Sequence, residues 1–506
     1  MVSLARSSTT AFRTVAVLGA SYGGARAACL LAQDLPEGWR VVLVDRNSHM
    51  NHLYVLPRYA VLPGHEHKAF IPYHNVFTLP PPPDSSTPRP PSRPKDSSKN
   101  VFLHASVTSI SEHSLTLDKA FPEHGIAESD RTLHFDYLVY ALGSHLPAPI
   151  NLWGPVADED VEKADVVNMA RGSKEAGVAW LKKFQKRVER ASSVLVVGGG
   201  ALGIQFASDI AEIYPTTKVT LLHSRQRLLP RFDEAMHSEI VSSLSSLNVC
   251  TILGDRLDLS SLSNKQTREG ERVVRTQSGR EISAELVLLC TGQTPNTTLL
   301  RDAFPNAVIS DGPDKGMARV RRTLQLAEPV PADELPEQLA QLSISDTTTP
   351  ELTPSASPEP ESPVSDEDEE EPQPEIEEDP RTRVAAKHIF AVGDAADAFG
   401  AVNAGHNAFF QGEVAARNIL KMIKASESPA PSEEVVLDKY NPGLPAIKVS
   451  LGLNKSVYQY QGMIGTKEQE QVDLDVHLIW RYFGYQVERE DLVPDFEARR
   501  LGAVDA

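Results

Sequence analysis

The stretch Ser193–Ile213, "SVLVVGGGALGIQFASDIAEI", places an apolar run, a glycine turn and an amphipathic run in direct succession. Its centre, Gly198-Gly199-Gly200-Ala201-Leu202-Gly203, is a full G-x-G-x-x-G. That order predicts a buried strand, a tight turn and a helix. The glycines let the backbone approach a pyrophosphate, and the helix start offers unpaired N–H groups and a positive dipole end. A second apolar run, "KVTLLHS", follows and ends at His223, 20 residues beyond Gly203. "AELVLLCTGQTPN" then closes the unit, with Gly292 in its small-residue strand end.

The same pattern occurs earlier in the chain. "TVAVLGASYGGARAACLLAQ" reads as strand, turn and helix around Gly19-Ala20-Ser21-Tyr22-Gly23-Gly24, where Ser21 replaces the middle glycine. The following strand, "WRVVLVDRN", ends in Asp45, 21 residues beyond Gly24. "FDYLVYALGS" closes this unit at Gly143. Two such units predict an α/β chain with two Rossmann-like dinucleotide-binding domains.

The two strand ends differ in charge. A carboxylate such as Asp45 accepts hydrogen bonds from ribose hydroxyls and repels a 2′-phosphate. The second unit has His223 and Arg225 in the stretch "VTLLHSRQR", and Arg225 could grip a 2′-phosphate through charge-assisted hydrogen bonds. The first unit therefore fits the adenosine of FAD. The second fits NADPH, or tolerates both nicotinamide nucleotides. The competing readings are that Asp45 caps a turn and that Arg225 and Arg227 are surface bases. "HIFAVGDAAD" adds Gly393 and Asp394 at another strand end, where a carboxylate in two-dinucleotide flavoproteins holds the ribityl hydroxyls.

The chain has 506 residues, enough for two or three domains. The expected division is 13–150 for the first part of an FAD domain, 190–297 for an inserted NAD(P)H domain, 298–425 for the second FAD part, and 426–506 for a small α+β unit. Residues 80–99, "PPPPDSSTPRPPSRPKDSSK", read as a surface insertion. Residues 328–379 hold 18 of the chain's 68 acids and no Lys or Arg, which leaves 50 acids against 50 basic residues elsewhere. That segment is expected to be disordered, with its ends at two neighbouring strands. The near-neutral remainder argues against nucleic-acid binding, which needs a basic face.

Cys29, Cys250 and Cys290 are far apart in sequence and form no CxxC pair, so neither a disulfide framework nor a metal site is read from them. No run of about 18 apolar residues is present for a spanning helix. "VDLDVHLIWRYFGYQ" places Leu474, Leu478, Ile479, Tyr482 and Phe483 on one helical face, open to a peripheral membrane contact or to packing on the flavin domain. The start "MVSLARSSTTAFR" is basic and hydroxyl-rich, but a core strand begins at about Thr14. The expectation is a cytoplasmic protein that can associate with membranes, with mitochondrial import as the alternative.

From about Thr14 to Leu420 the chain resembles the pyridine-nucleotide:disulfide oxidoreductase superfamily, within it the apoptosis-inducing-factor-like, AMID and ferroptosis-suppressor type branch. "NHLYVLPRYAVLPGHEHKAFIPY" is similar to that branch, with His52, Arg58 and the run Lys68-Ala69-Phe70-Ile71-Pro72-Tyr73. "NPGLPAIKVSLGLNKSVYQ" is similar to its C-terminal module. The resemblance implies that Arg58 contacts FAD, that Val107 meets the adenine through its backbone, and that Asp394 meets the ribityl chain. It also implies hydride transfer from NAD(P)H to FAD and on to a quinone. The missing CxxC excludes a dithiol relay, and the two insertions have no counterpart in the branch. Lys68 and His406 are the candidates for a protein group near the flavin, each competing with a structural role. A flavin reductase serving a ferredoxin- or rubredoxin-type protein, and a redox-sensing flavoprotein without turnover, are the alternatives. Oligomeric state is not read from the sequence.

Overall fold

The computed structural model describes residues 12–78, 98–148, 150–151, 172–263, 267–268, 271–331, 333–335, 377–428, 435–469, 471–494 and 496. The first nucleotide unit begins with Arg13–Leu18 (β1), helix Tyr22–Asp34 (α1), Trp39–Asp45 (β2), Val101–His104 (β3) and Tyr137–Tyr140 (β4). Helix Lys174–Arg190 (α2) leads into the second unit: Ser193–Val197 (β5), Ala201–Ile213 (α3), Lys218–His223 (β6), Glu234–Ser246 (α4), Cys250–Leu253 (β7) and Leu286–Leu289 (β8). The chain then returns with Gln325–Pro329 (β9), Thr382–Ala391 (β10) and the long helix Gly405–Ser426 (α5).

These strands form a six-stranded sheet in the order β9-β10-β4-β1-β2-β3 and a four-stranded sheet in the order β7-β6-β5-β8. All pairings are parallel except β9 with β10. The first sheet takes strands from both sides of the second in sequence, so the second domain is inserted into the first. The strand order reverses between β1 and β4, and between β5 and β8. Ligands of doubly wound sheets sit at such reversals. The strands are buried on both faces: β1 from Thr14 onward and β5 throughout. That is what helices on both sides of a parallel sheet require.

α1 packs on α5 at close range. A Cβ on Gly23 would lie 2.6 Å from the Ala408 carbonyl oxygen, and one on Gly412 2.3 Å from that of Gly23. The glycine turn of the first domain is thus held by a helix nearly 400 residues away in sequence.

Ile447–Ser450 (β11), Lys455–Tyr460 (β12) and Met463–Glu468 (β13) form an antiparallel meander, followed by His477–Tyr482 (α6). The meander rests on the second domain: Gln205 donates to Ser450 Oγ at 3.2 Å, and Leu453 N–H donates to Glu212 at 2.7 Å. The following segment rests on the first domain. Tyr59 donates to the Asp473 carbonyl at 2.9 Å, and Trp480 Nε1 donates to the Lys68 carbonyl at 2.9 Å. The C-terminal unit therefore ties the two nucleotide domains together.

Three sequence expectations need correction. "ARVRRTLQL" is not one strand: Ala318–Arg319 and β9 are separated by a turn at Leu324, which has a positive φ. The helix in "VDLDVHLIWRYFGYQ" spans only His477–Tyr482, because Leu474 and Asp475 both take positive φ. Its apolar residues do not form an outward face. Leu474, Trp480 and Phe483 are buried, and Leu478 is the exposed one. The acidic segment's first residues belong to the sheet, with Glu328 opposite Arg383 and Pro329 opposite Thr382. Its two ends are neighbours, and Arg383 Nε pairs with Glu328 at 2.9 Å. Residues 336–376 within it, and most of 80–99, lie outside the described residues.

Candidate functional site

Each nucleotide domain builds the same cradle. A Cβ on Gly24 would lie 1.8 Å from the Gly19 carbonyl oxygen, and one on Gly203 1.9 Å from that of Gly198. Only glycine lets these helices start so close to their turns. No atom lies within 4 Å of a Cβ built on Gly200, so the loop is open where a ligand would approach. Neither α1, led by Ser21, nor α3, led by Gly200, has a side-chain N-cap or an acid in its first turn. By contrast, α2 is capped by Ser173 and α4 by Asp233. Uncapped N–H groups at these two helix starts, each behind a glycine turn, suit pyrophosphate.

The strand ends answer one another residue for residue. Asp45 Oδ2 accepts from Ala20 N–H at 2.7 Å, and His223 Nδ1 accepts from Gly199 N–H at 3.0 Å. Ala20 and Gly199 occupy the same place in the two turns. A carboxylate pins the first loop and a neutral imidazole the second. Burial lowers the His223 pKa, and the Arg225 charge adds to that. An imidazole that accepts at Nδ1 carries its proton on Nε2. Nε2 is buried and meets no hydrogen-bond partner among the described residues. Arg225 is exposed two residues on, and Arg227 donates to the Phe232 carbonyl at 2.6 Å. Asp45 also accepts from Asn47 N–H at 2.7 Å; burial raises its pKa against the pull of these two bonds. Val107 opens the strand Val107–Ser111, two residues past Ala105, whose N–H donates to the Asp45 carbonyl at 3.0 Å.

The segments that close the two cradles meet. Ser144–His145 pairs with Thr294–Pro295, beside Gly143 and Gly292. Ser144 Oγ lies 2.9 Å from Asp394 Oδ2 and 2.6 Å from Gln293 Oε1. Its one proton serves one acceptor at a time. Burial raises the Asp394 pKa, and the Ser144 bond opposes the rise. Asp394 and Gly393 line a small open cleft with Asn403, Ala404, Asn407 and Gln411. Gln411 accepts from Gly393 N–H at 2.7 Å and holds that turn. Sequence reading found Gly143, Gly292 and Asp394 but not Ser144, whose role depends on a pairing across 149 residues.

Two expected roles change. Arg58 has no exposed side-chain surface, so nothing bound in a cleft reaches it. Its guanidinium donates to Asp209 at 2.9 Å, to the Val472 carbonyl at 3.2 Å and to the Gly452 carbonyl at 2.5 Å. It is a clasp joining the first domain, α3 and the C-terminal unit. Burial pushes Asp209 up to about 6 against the pull of Arg58. Lys68 is likewise buried and donates to Asp473 at 3.3 Å, a second tie to the same unit rather than a group turned to the cleft. His406, the second residue of α5, stays beside the cleft-lining Ala404 and Asn407; burial lowers its pKa.

No cysteine pair serves either cradle. Cys29 and Cys290 are buried and Cys250 is exposed. Burial pushes the Cys29 thiol up to about 12 and raises Cys290 further. Among the described residues there is no cluster of three or more metal-ligating side chains, and no helix is long and apolar enough to cross a membrane.

Two cradles of this kind, one ending in an acid and joined through Ser144 to an aspartate-lined cleft, define a two-dinucleotide flavoprotein oxidoreductase. The chain belongs to the pyridine nucleotide-disulphide oxidoreductase family, whose model matches residues 13–311. It is 39% identical over 476 residues to Fe-regulated protein 8 of Mycosarcoma maydis, covering 92% of this chain and 94% of that protein. It is 27% identical to human ferroptosis suppressor protein 1, covering 59% of this chain and 67% of that protein. Among solved structures it is similar to the sulfide:quinone oxidoreductase of Aquifex aeolicus, with a TM-score of 0.56 at 15% identity over 97% of this chain and 95% of that one. It is also similar to Plasmodium falciparum NDH2 in complex with NADH, with a TM-score of 0.56 at 11% identity over 93% and 96%. The cofactors are FAD and NADPH or NADH. The chain is an NAD(P)H-dependent FAD oxidoreductase.

Proposed function

We propose that this protein oxidises NADPH in preference to NADH and passes the electrons directly to a small quinone-like acceptor. FAD supplies the chemistry that accepts hydride and returns electrons. The chain's own residues bind, orient and shield. The uncapped start of α1 and Asp45 would hold the FAD adenosine and pyrophosphate, with Val107 at the adenine and Asp394 at the ribityl chain. The uncapped start of α3, His223 and Arg225 would hold the nicotinamide nucleotide, with Gly292 closing its site.

The observation that carries direct transfer is the absence of a usable thiol pair, since buried Cys29 and Cys290 stay protonated. The observation that favours NADPH is His223 in the place that Asp45 takes in the other domain. An acid there accepts a 2′-hydroxyl and repels a 2′-phosphate, whereas the neutral His223 ring does not repel it and exposed Arg225 offers a charge. A quinone as acceptor is what the resemblance to the ferroptosis-suppressor branch implies. The test is turnover of purified protein with NADPH or NADH against quinone, ferricyanide, cytochrome c and oxygen in parallel. Quinone reduction with kcat/KM higher for NADPH is expected. Turnover with the cytochrome alone, or a strong preference for NADH, would overturn the reading.

A further inference from the structure

Tyr22 is the first residue of α1, directly after the glycine turn. Its ring packs on Gly405, the first residue of α5, so closely that a Cβ there would lie 2.8 Å from Tyr22 Cδ1. Gly405 sits between Ala404 and Asn407, which line the cleft beside Asp394. Tyr22 therefore packs against the start of the helix that carries several of the cleft's lining residues. Its hydroxyl lies 2.9 Å from His52 Nδ1. The two rings are 6.1 Å apart and tilted by 57°, not stacked. Burial holds the imidazole neutral, with its pKa down at about 3, and raises that of the phenol. The backbone of Leu53 and Tyr54 also hydrogen-bonds the Tyr22 hydroxyl, and the nearby Asp394 charge adds to the rise of its pKa.

A quinone reduced to a hydroquinone takes two electrons and two protons. Hydride brings both electrons and one proton, so the second proton comes from elsewhere. The amides that line the cleft, Asn403, Asn407 and Gln411, have no proton to give. Asp394 Oδ2 lies 2.9 Å from Ser144 Oγ and stands there as an acceptor, shared with Gln293, rather than a donor.

We propose that Tyr22 and His52 form the proton relay that supplies this second proton. The Tyr22 O–H bond breaks as its proton passes to the acceptor oxygen. The proton on His52 Nδ1 re-forms that O–H bond, and His52 Nε2 takes a proton from water. His52 ends as the other neutral tautomer and the protein gains no charge; the hydroxide left by that water is neutralised by buffer in bulk solvent, and proton exchange with solvent restores the first tautomer before the next turnover. His52, 9% exposed, is the end of the relay that water has to reach. The relay rests on the reading that the acceptor is a quinone.

Tyr22→Phe keeps the ring on Gly405 and removes the proton, and His52→Gln keeps a polar side chain that cannot relay. Ferricyanide takes one electron and no proton, so it reports electron delivery alone. The ratio of quinone to ferricyanide turnover should fall at least about tenfold in both variants, since a positioned general acid contributes on the order of 10²- to 10⁴-fold. Flavin released on denaturation should stay at the wild-type level. In the resting protein, nitrogen NMR of the His52 ring should show a hydrogen-bonded Nδ1 that shifts in Tyr22→Phe. An unchanged turnover ratio in both variants, or identical His52 signals in wild type and Tyr22→Phe, would overturn the relay alone. Wild type that reduces ferricyanide but no quinone would overturn the acceptor reading and the relay with it.

Discussion

Replacing Arg58 by leucine should destabilise the protein without a selective loss of FAD. Asp209 would be left with no exposed surface and no counter-charge, and the carbonyls of Val472 and Gly452 would lose their donors. Breaking a buried pair by removing one partner costs about 3–5 kcal/mol. Each orphaned buried carbonyl adds about 1–3 kcal/mol where water does not reach it. Domain stabilities are typically about 5–15 kcal/mol, so the single variant should be close to the threshold of folding. Asp209→Leu added to Arg58→Leu removes the stranded charge, and apolar replacements of buried pairs are often nearly neutral. The double variant should therefore be more stable than Arg58→Leu, by about 2 kcal/mol or more. Urea unfolding followed by tryptophan fluorescence, with flavin release recorded in parallel, gives both readouts. A single variant of wild-type stability that nevertheless loses FAD would refute the clasp and return Arg58 to the cofactor.

Arg225→Glu should lower kcat/KM for NADPH by about tenfold, the low end for a charge-assisted contact because Arg225 is exposed. His223→Asp should add to that and raise use of NADH, since an aspartate there can accept from Gly199 N–H as Asp45 does from Ala20. Equal losses for both nucleotides would mean that these residues support the fold. Deleting 336–376 and joining the ends with a short glycine-serine link should leave flavin content and turnover intact, because β9 and β10 already bring the ends together; precipitation or flavin loss would contradict this. Buried His49 has its pKa lowered to about 3, so between pH 6.5 and 3 the unfolded chain binds the extra proton and stability falls as pH falls. From pH 7 to pH 5 that amounts to about 2 kcal/mol. Urea unfolding of His49→Gln should show a loss smaller by about that amount than wild type, and equal losses would mean that His49 is not held neutral.

Local patterns announced both nucleotide cradles. A glycine turn between an apolar strand and a helix is written in adjacent residues, so Gly19–Gly24 and Gly198–Gly203 could be read directly, as could the acid-to-histidine contrast at Asp45 and His223. Contacts closed over long separations could not. Arg58 and Asp209 are 151 residues apart, and Ser144 and Asp394 are 250 apart. No periodicity links such pairs. The C-terminal helix was overextended for a different reason. Leu474 to Phe483 has helical spacing, but two positive φ angles break the chain before His477 and turn its apolar residues inward. Tyr22 lay inside a motif read for its glycines, and its 2.9 Å contact with His52 closes a separation of 30 residues that no pattern announces.

The most direct test of the central claim, electron transfer from a nicotinamide nucleotide through FAD to a small acceptor without a thiol relay, is one anaerobic titration. The purified protein is first treated with iodoacetamide and its visible absorbance is then followed on addition of NADPH and of quinone. The account predicts a flavin band that bleaches with one NADPH per FAD and is restored by one quinone, at the same stoichiometry with or without alkylation. A colourless protein, a band that NADPH leaves unchanged, or recovery abolished by alkylation would contradict it.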